Sequence, residues 1–179
     1  MKINDNEIVL QLEKNPEKGF SLLMQRFKEP VYWHIRRIVV SHSDAQDASQ
    51  ETFLRVFRSF NDLRNKESLT AWIYRIATNE ALRLIRIRIP DTMSIDSAEG
   101  DIMSLRADEY FDYSNIEAVR LQKAINTLPP KQKLAFTLRY YDDLSYNDIA
   151  EVMDSTPDNA KMNYHIAKNK IINYMNSND

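Results

Sequence analysis

The chain contains no cysteine. That excludes a disulfide framework, a thiolate metal centre and direct thiol sensing by this chain. Histidine is scarce: His34, His42 and His165 are scattered, with no ligand spacing, so no metal and no other cofactor is expected. With 2 Gly and 6 Pro, turns are few, which favours helices over many short strands. No apolar run approaches the roughly 20 residues of a membrane span, so no membrane insertion is expected. The opening segment, MKINDNEIVLQLEKN, has acidic residues throughout and no small-residue cleavage site, so it does not read as a signal peptide. A cytoplasmic protein is the expectation. No phosphate-cradling loop and no nucleophile–base arrangement is present, so an enzyme is disfavoured.

What is present is charge that is segregated rather than abundant. The net charge of −2 does not point to nucleic acid. Between Asn61 and Ile89, however, Arg64, Lys66, Arg75, Arg83, Arg86 and Arg88 face only Asp62, Glu67 and Glu80. From Asp91 to Glu117 the balance reverses: Asp91, Asp96, Glu99, Asp101, Asp108, Glu109, Asp112 and Glu117 are opposed by Arg106 alone. Binding follows where charge sits, not its sum.

Helical periodicity runs through most of the chain. Ile8, Val9 and Leu12 share a face. Pro16 opens a segment with Phe20, Leu23, Met24 and Phe27 at helical spacing, and VYWHIRRIVV continues apolar after Pro30. Ser43 and Asp44 read as caps for a helix whose buried face is Ala45, Ala48, Thr52, Phe53, Val56, Phe57 and Phe60. After the polar turn NDLRNKES, a long helix places Leu69, Trp72, Ile73, Ile76, Ala77, Glu80 and Leu84 on one side. Residues 90–114 lose this rhythm and are rich in Pro, Ser, Gly and Asp, as linkers are. A second helical set begins near Asn115. The expectation is an all-α chain of two small domains, 1–90 and 115–179, joined by an acidic linker at 91–114.

Three stretches carry functional signals. LSYNDIAEVMDSTPDNAKMNYHIAKNK has the spacing of a helix-turn-helix. Ser145 caps with Asp148, Ile149, Ala150 and Met153 pack inward, and Thr156 and Pro157 start the second helix. Ala160, Tyr164 and Ala167 face the first helix, leaving Asp158, Asn159, Lys161, Met162 and His165 outward, where a recognition helix enters the major groove. An ordinary helical hairpin is the plainer alternative. In DAQDASQETFLRVFR, Asp47, Gln50, Glu51, Leu54 and Arg58 fall on the polar face. Asp47 and Glu51 lie one turn apart, but nothing supplies a cleft for acid–base work, and Glu51 is placed to pair with Arg55. An exposed Leu54 among polar anchors fits a protein-docking face. In NDLRNKESLTAWIYRIATNEALRLIRIR, Trp72 and Tyr74 interleave with Arg75, Arg83 and Arg86, a combination that suits single-stranded DNA. The alternative is that Trp72 and Ile76 are core.

In this order, the three stretches resemble a bacterial RNA polymerase sigma factor of the extracytoplasmic-function group, over nearly the whole chain. DAQDASQETFLRVFRSF resembles region 2.2, through Asp-x-x-Gln-Glu-x-Phe. SLTAWIYRIATNEALRLIR resembles regions 2.3 and 2.4. LPPKQKLAFTLRYYDDLSYNDIAEVM resembles region 4. The resemblance implies docking of Asp47, Gln50, Glu51 and Leu54 on the β′ clamp helices of core RNA polymerase. It implies capture and melting of the minus-ten promoter strand by Asn61, Leu63, Arg64, Asn65 and Ser68 with Arg75, Asn79, Arg83 and Arg86. Region 4 would read the minus-thirty-five duplex through Asp158, Asn159, Lys161, Met162 and His165 and contact the β flap. An anti-sigma factor is an implied partner, and the chain itself would do no chemistry. A stand-alone helix-turn-helix regulator is the competing reading.

Two departures from the family stand out. Met153-Asp154 replaces the usual Leu-Gly at the turn, and Asn163 and Ile166 stand where basic residues are common. Fewer phosphate contacts by the second domain are expected, and base preference does not follow from relatives.

Overall fold

The computed structural model describes residues 3–39, 41–63, 68–88 and 115–177. Among these residues there are eight α-helices, one short 3-10 turn and no strand. The acidic linker expected at 91–114 lies outside the described residues.

The first two helices are joined with almost no loop. In α1 (Asp5–Lys14), the Asn4 side chain accepts from the Glu7 amide at 2.8 Å. Asn15 ends α1 and also starts α2 (Pro16–Ile38), its Oδ1 accepting from the Lys18 amide at 3.1 Å. Gly19 permits this tight hairpin: a Cβ there would stand 2.3 Å from the Leu12 backbone nitrogen. The helix continues past Pro30 as one element, in line with the apolar pattern that continues after it. Pro30 is exposed, so the carbonyl it leaves unpaired one turn earlier lies on the solvent side, and Val31, Ile35 and Ile38 continue the buried stripe.

Helix α3 (His42–Ser59) is capped by Ser41, whose Oγ accepts from the Asp44 amide at 3.1 Å. The cap therefore lies two residues before the expected Ser43. The inward face holds Ala45, Ala48, Thr52, Phe53 and Val56, as the spacing indicates, but Phe57 is 56% exposed and does not belong to it. After a 3-10 turn at Phe60–Asp62 comes α4 (Leu69–Arg88). Small buried residues on both helices, Ala45 and Ala48 with Ala77 and Ala81, suit the close packing of α3 on α4. The first turn of α4 is braced from α1: Asp5 accepts from the Thr70 amide at 3.1 Å and also pairs with Arg26.

The second set comprises α5 (Ile116–Asn126), α6 (Pro130–Tyr140), α7 (Tyr146–Val152) and α8 (Pro157–Ser177). Asn115 caps α5 through the Ala118 amide at 3.1 Å, which is where the second domain is expected to begin. Ala124, Ile125, Leu128, Phe136, Ala167 and Ile171 form a small core between α5, α6 and α8. Ala167 thus faces α5 and α6, not α7 as its spacing suggested.

The two helical sets are packed together rather than merely tethered. The larger core begins with Ile8, Leu23, Ile35 and Ile73 and continues into Leu138, Leu144, Ile149 and Ala160. Helix α7 lies on α4. Around this seam, Asp142 receives His34 and Arg37, the Arg37 guanidinium lies 4.4 Å from the Tyr141 ring centre, and Asp148 accepts from the Ser68 hydroxyl.

Candidate functional site

The outer face of the first set is an open groove between α2 and α3. Phe20, Met24 and Tyr32 line one side, and Asp47, Gln50, Phe53, Leu54 and Phe57 the other. Leu54 is 41% exposed, and Phe57 meets Phe20 edge-on at 5.3 Å. Apolar side chains held this open to solvent, with polar residues at the rim, have the make-up of an interaction surface. Ser49 lies at its floor with a buried hydroxyl that has no hydrogen-bond partner. Three of the four expected docking residues, Asp47, Gln50 and Leu54, line the groove. Glu51 does not: it pairs with Arg55 of its own helix at 3.3 Å.

The opposite side of α3 meets α4. Arg75, Asn79, Arg83 and Arg86 are all exposed and recur at helical spacing, so they form one row along α4. Asn61 is exposed in the 3-10 turn, and Leu63 and Ser68 are half-buried. Arg64 and Asn65 lie outside the described residues. Between the helices is a cleft of about 450 Å³ lined by Arg55, Arg58, Trp72, Ile76, Asn79 and Glu80 among others. Trp72 is half-buried, so it serves the core and still borders the cleft.

Tyr74 corrects the sequence reading. It is 4% exposed and packs edge-on against His34 at 5.0 Å, so it offers no face for base stacking. Burial, and after it the Asp142 carboxylate, pushes its phenol well above the usual tyrosine range. The sequence pattern put Arg58 on the polar face of α3 and Arg55 beside Glu51, but neither in this cleft. They sit on the helix assigned to docking, and only the α3–α4 contact turns them toward the same cleft as Asn79.

The helix-turn-helix is built as its spacing indicates. Ser145 Oγ accepts from the Asp148 amide at 3.1 Å, and Thr156 Oγ1 accepts from the Asn159 amide at 3.2 Å. The turn needs a left-handed residue, and Asp154 supplies it at φ 50. Ile149 and Ala150 are buried, while Met153 is only half-buried. Asp158, Asn159, Lys161, Met162 and His165 are all exposed at the start of α8. Asn163 donates to the Asn159 carbonyl at 2.9 Å, so its amide is tied to its own helix.

Comparison with known proteins decides the family. Residues 23–88 match sigma-70 region 2, and residues 118–171 match sigma-70 region 4. The ECF RNA polymerase sigma-E factor of Haemophilus influenzae is 31% identical over 162 residues, 86% of this chain and 85% of that protein. The sigma-E factor of Escherichia coli K12 is 30% identical over 163 residues, covering 86% and 84%. The chain belongs to the extracytoplasmic-function group of the sigma-70 family.

Two solved structures share the fold. CnrH in complex with the cytosolic domain of CnrY superposes with a TM-score of 0.71 at 15% identity, covering 98% of this chain and 99% of that one. The sigma factor RpoE of Bartonella quintana, in complex with the anti-sigma factor NepR, gives 0.67 at 19% identity, covering 90% and 99%. As a sigma factor, the chain is a non-enzymatic initiation factor that binds core RNA polymerase and promoter DNA. Among the described residues no helix is long and apolar enough to cross a membrane, and no group of metal-binding side chains is assembled.

Proposed function

We propose that the sigma factor divides its work among three surfaces within units at 1–90 and 115–179, the segment 91–114 connecting them. The α2–α3 groove, with Asp47, Gln50 and Leu54 and with Glu51 acting behind them, docks on the polymerase β′ clamp helices. The α4 row of Arg75, Asn79, Arg83 and Arg86, with Asn61, Leu63, Arg64, Asn65 and Ser68, holds the minus-ten strand. The first turns of α8 present Asp158, Asn159, Lys161, Met162 and His165 to the minus-thirty-five duplex, and the same unit meets the β flap. The observation that carries this reading is an apolar groove where α3 meets α2, with a separate cleft where α3 meets α4 and a basic row along α4. A single rigid unit would then hold the strand at a fixed distance from the polymerase. The protein works in the cytoplasm, where its polymerase is, and an anti-sigma factor, such as NepR in the Bartonella quintana complex, covers one of these faces when transcription is off.

The test is run-off transcription with purified core polymerase and genomic promoter fragments. Leu54→Asp places a charge in the groove and should abolish core binding while leaving binding of random-sequence DNA to the free chain unchanged. Arg83→Gln should do the reverse. Loss of neither activity, or of both together in each variant of normal thermal stability, would contradict the division.

A further inference from the structure

Glu80 is 1% exposed, on the buried side of α4, beneath a surface assigned to DNA. A buried carboxylate is costly unless it is fully paired. Here both oxygens are used. Oε2 accepts from Arg83 Nε at 2.9 Å, and Oε1 lies 2.8 Å from Arg55 Nε as an ion pair. The Arg55 Nε–H itself donates to Glu51 Oε1 at 3.3 Å, so Arg55 is held between the two carboxylates. The two guanidiniums come from different helices and remain about half exposed, at 49% and 45%. A guanidinium has five N–H donors, so anchoring through Nε leaves its Nη groups able to meet another acceptor.

We propose that Glu80 is a positioning residue for the melted promoter strand: it fixes Arg55 and Arg83 as a pair whose outward amino groups take phosphates of the strand that enters the cleft beside Trp72. The proposal rests on the reading of α4 as the strand-binding helix. It adds a contribution from α3, through Arg55 and its neighbour Arg58 on the cleft wall. It also makes an acid within a DNA site a strengthening feature. A free arginine loses much rotamer freedom when it grips a phosphate, and a pre-set fork loses less. Asp62 also lines the cleft, so Arg55, Arg58 and Arg83 are matched by Glu51, Asp62 and Glu80, and it is the aim of the guanidinium donors rather than net charge that would hold a phosphate.

Charge counting and positioning predict opposite signs. If Glu80 merely neutralises arginines, Glu80→Gln adds one positive charge and tightens DNA binding. If it positions them, Glu80→Gln weakens it. The measurement is anisotropy of a fluorescein-labelled single-stranded oligonucleotide of randomised sequence, titrated with the full chain alone and in holoenzyme at several salt concentrations. Phosphate binding is independent of sequence, so a random probe suffices. Glu80→Gln should lower affinity about 3- to 10-fold and reduce the salt slope by roughly 0.7 for each phosphate that is no longer neutralised. Arg83→Lys, an exposed change that leaves the core intact, keeps the charge but loses the fork and should weaken binding similarly. In an Arg55→Gln, Arg83→Gln background, Glu80→Gln should have no further effect. Tighter or unchanged binding by Glu80→Gln, or wild-type behaviour of Arg83→Lys, overturns the role of Glu80 alone. Failure of the wild-type holoenzyme to bind the strand overturns that role together with the reading of α4.

Discussion

His34 and Asp142, 108 residues apart in sequence, are joined by a 2.8 Å hydrogen bond across the seam between the two helical sets. A carboxylate only accepts, so the imidazole proton sits on Nδ1, and Nε2 lies 2.8 Å from Thr78 Oγ1. The second carboxylate oxygen takes Arg37 Nη1 at 3.3 Å. Asp142→Ala strips a partner from both groups, and His34 is wholly buried. An unsatisfied buried donor costs about 1–3 kcal/mol. The expected result is a loss of that size in chemical denaturation, with faster hydrogen exchange over 141–152 and unchanged protection in α1. Asp143→Asn, at an exposed neighbour with a single 3.7 Å ion pair, should change stability by less than about 0.5 kcal/mol.

The seam also limits what the molecule can reach. The minus-ten and minus-thirty-five elements lie roughly 25 base pairs apart, about 85 Å at 3.4 Å per pair. With Ser68 bonded to Asp148 and α7 lying on α4, the two readers are side by side. On the proposed division they would not reach both elements in this arrangement, and the seam is expected to open on promoter DNA. An extended chain the length of 89–114 reaches on the order of 90 Å, which suffices. Because the chain has no cysteine, Ser68→Cys with Asp148→Cys creates a unique pair. Oxidation, or a short bis-thiol reagent, should abolish run-off transcription by the double variant, and reduction should restore it. Equal transcription before and after cross-linking would show that the seam need not open.

The parts of this structure that were legible in the sequence are those where a local rule acts alone. Ile8, Val9 and Leu12 share a face because helix geometry spaces them so, and Ser145, Thr156, Pro157 and Asp154 mark the helix-turn-helix through caps and a left-handed turn. Glu80 fell on the apolar side by the same count, which was the signal of its burial. Tertiary contact hid the rest. Tyr74 looked available for stacking until His34 covered it, and only the α3–α4 packing shows that Arg55, the expected local partner of Glu51, also pairs with buried Glu80. Pairings such as His34 with Asp142 carry no periodic trace.

Lys133 is another residue whose place no pattern revealed. It is 5% exposed, donates to Asn126 Oδ1 at 2.9 Å, and burial lowers its pKa to about 8. The native state therefore gives up this proton earlier than the unfolded chain does. Between pH about 8 and about 10.5 the unfolded state binds more protons, and the contribution of Lys133 makes stability rise with pH. Below that window the buried charge costs on the order of 3 kcal/mol, at 1.36 kcal/mol per pKa unit. Lys133→Met keeps the apolar stem, and Asn126 Oδ1 keeps the Gln122 amide at 3.0 Å. Urea unfolding should show a gain of about 1–3 kcal/mol at pH 7 that shrinks as pH rises from 8 to 9.5. That range stays below the onset of the opposite contribution from Tyr74, whose native form holds its proton above pH 10. A gain independent of pH would mean that Lys133 is not the titrating group.

Asp154 tests how the helix-turn-helix tolerates its unusual turn. At φ 50 it occupies the left-handed region, which costs an ordinary L-residue about 1–2 kcal/mol and Asp somewhat less. Glycine adopts this region freely but loses more chain entropy on folding, about 0.5–1 kcal/mol. These terms nearly cancel, so Asp154→Gly should shift unfolding by no more than about 1 kcal/mol, toward greater stability. Asp154→Val combines positive φ with a β-branched side chain and should cost at least 2 kcal/mol or so, by the same steric argument. Asp154 is exposed, so no buried contact competes with this reasoning. Its backbone amide is bonded to the Glu151 carbonyl at 3.4 Å and the next amide, of Ser155, to the Ala150 carbonyl at 2.9 Å. Those bonds end α7 only if residue 154 stays left-handed. The valine variant should therefore lose minus-thirty-five duplex binding along with stability, as the start of α8 swings away from its aim. Duplex binding that survives a 2 kcal/mol loss in Asp154→Val, by about the same figure, would show that the turn sets stability without setting the angle of the recognition helix.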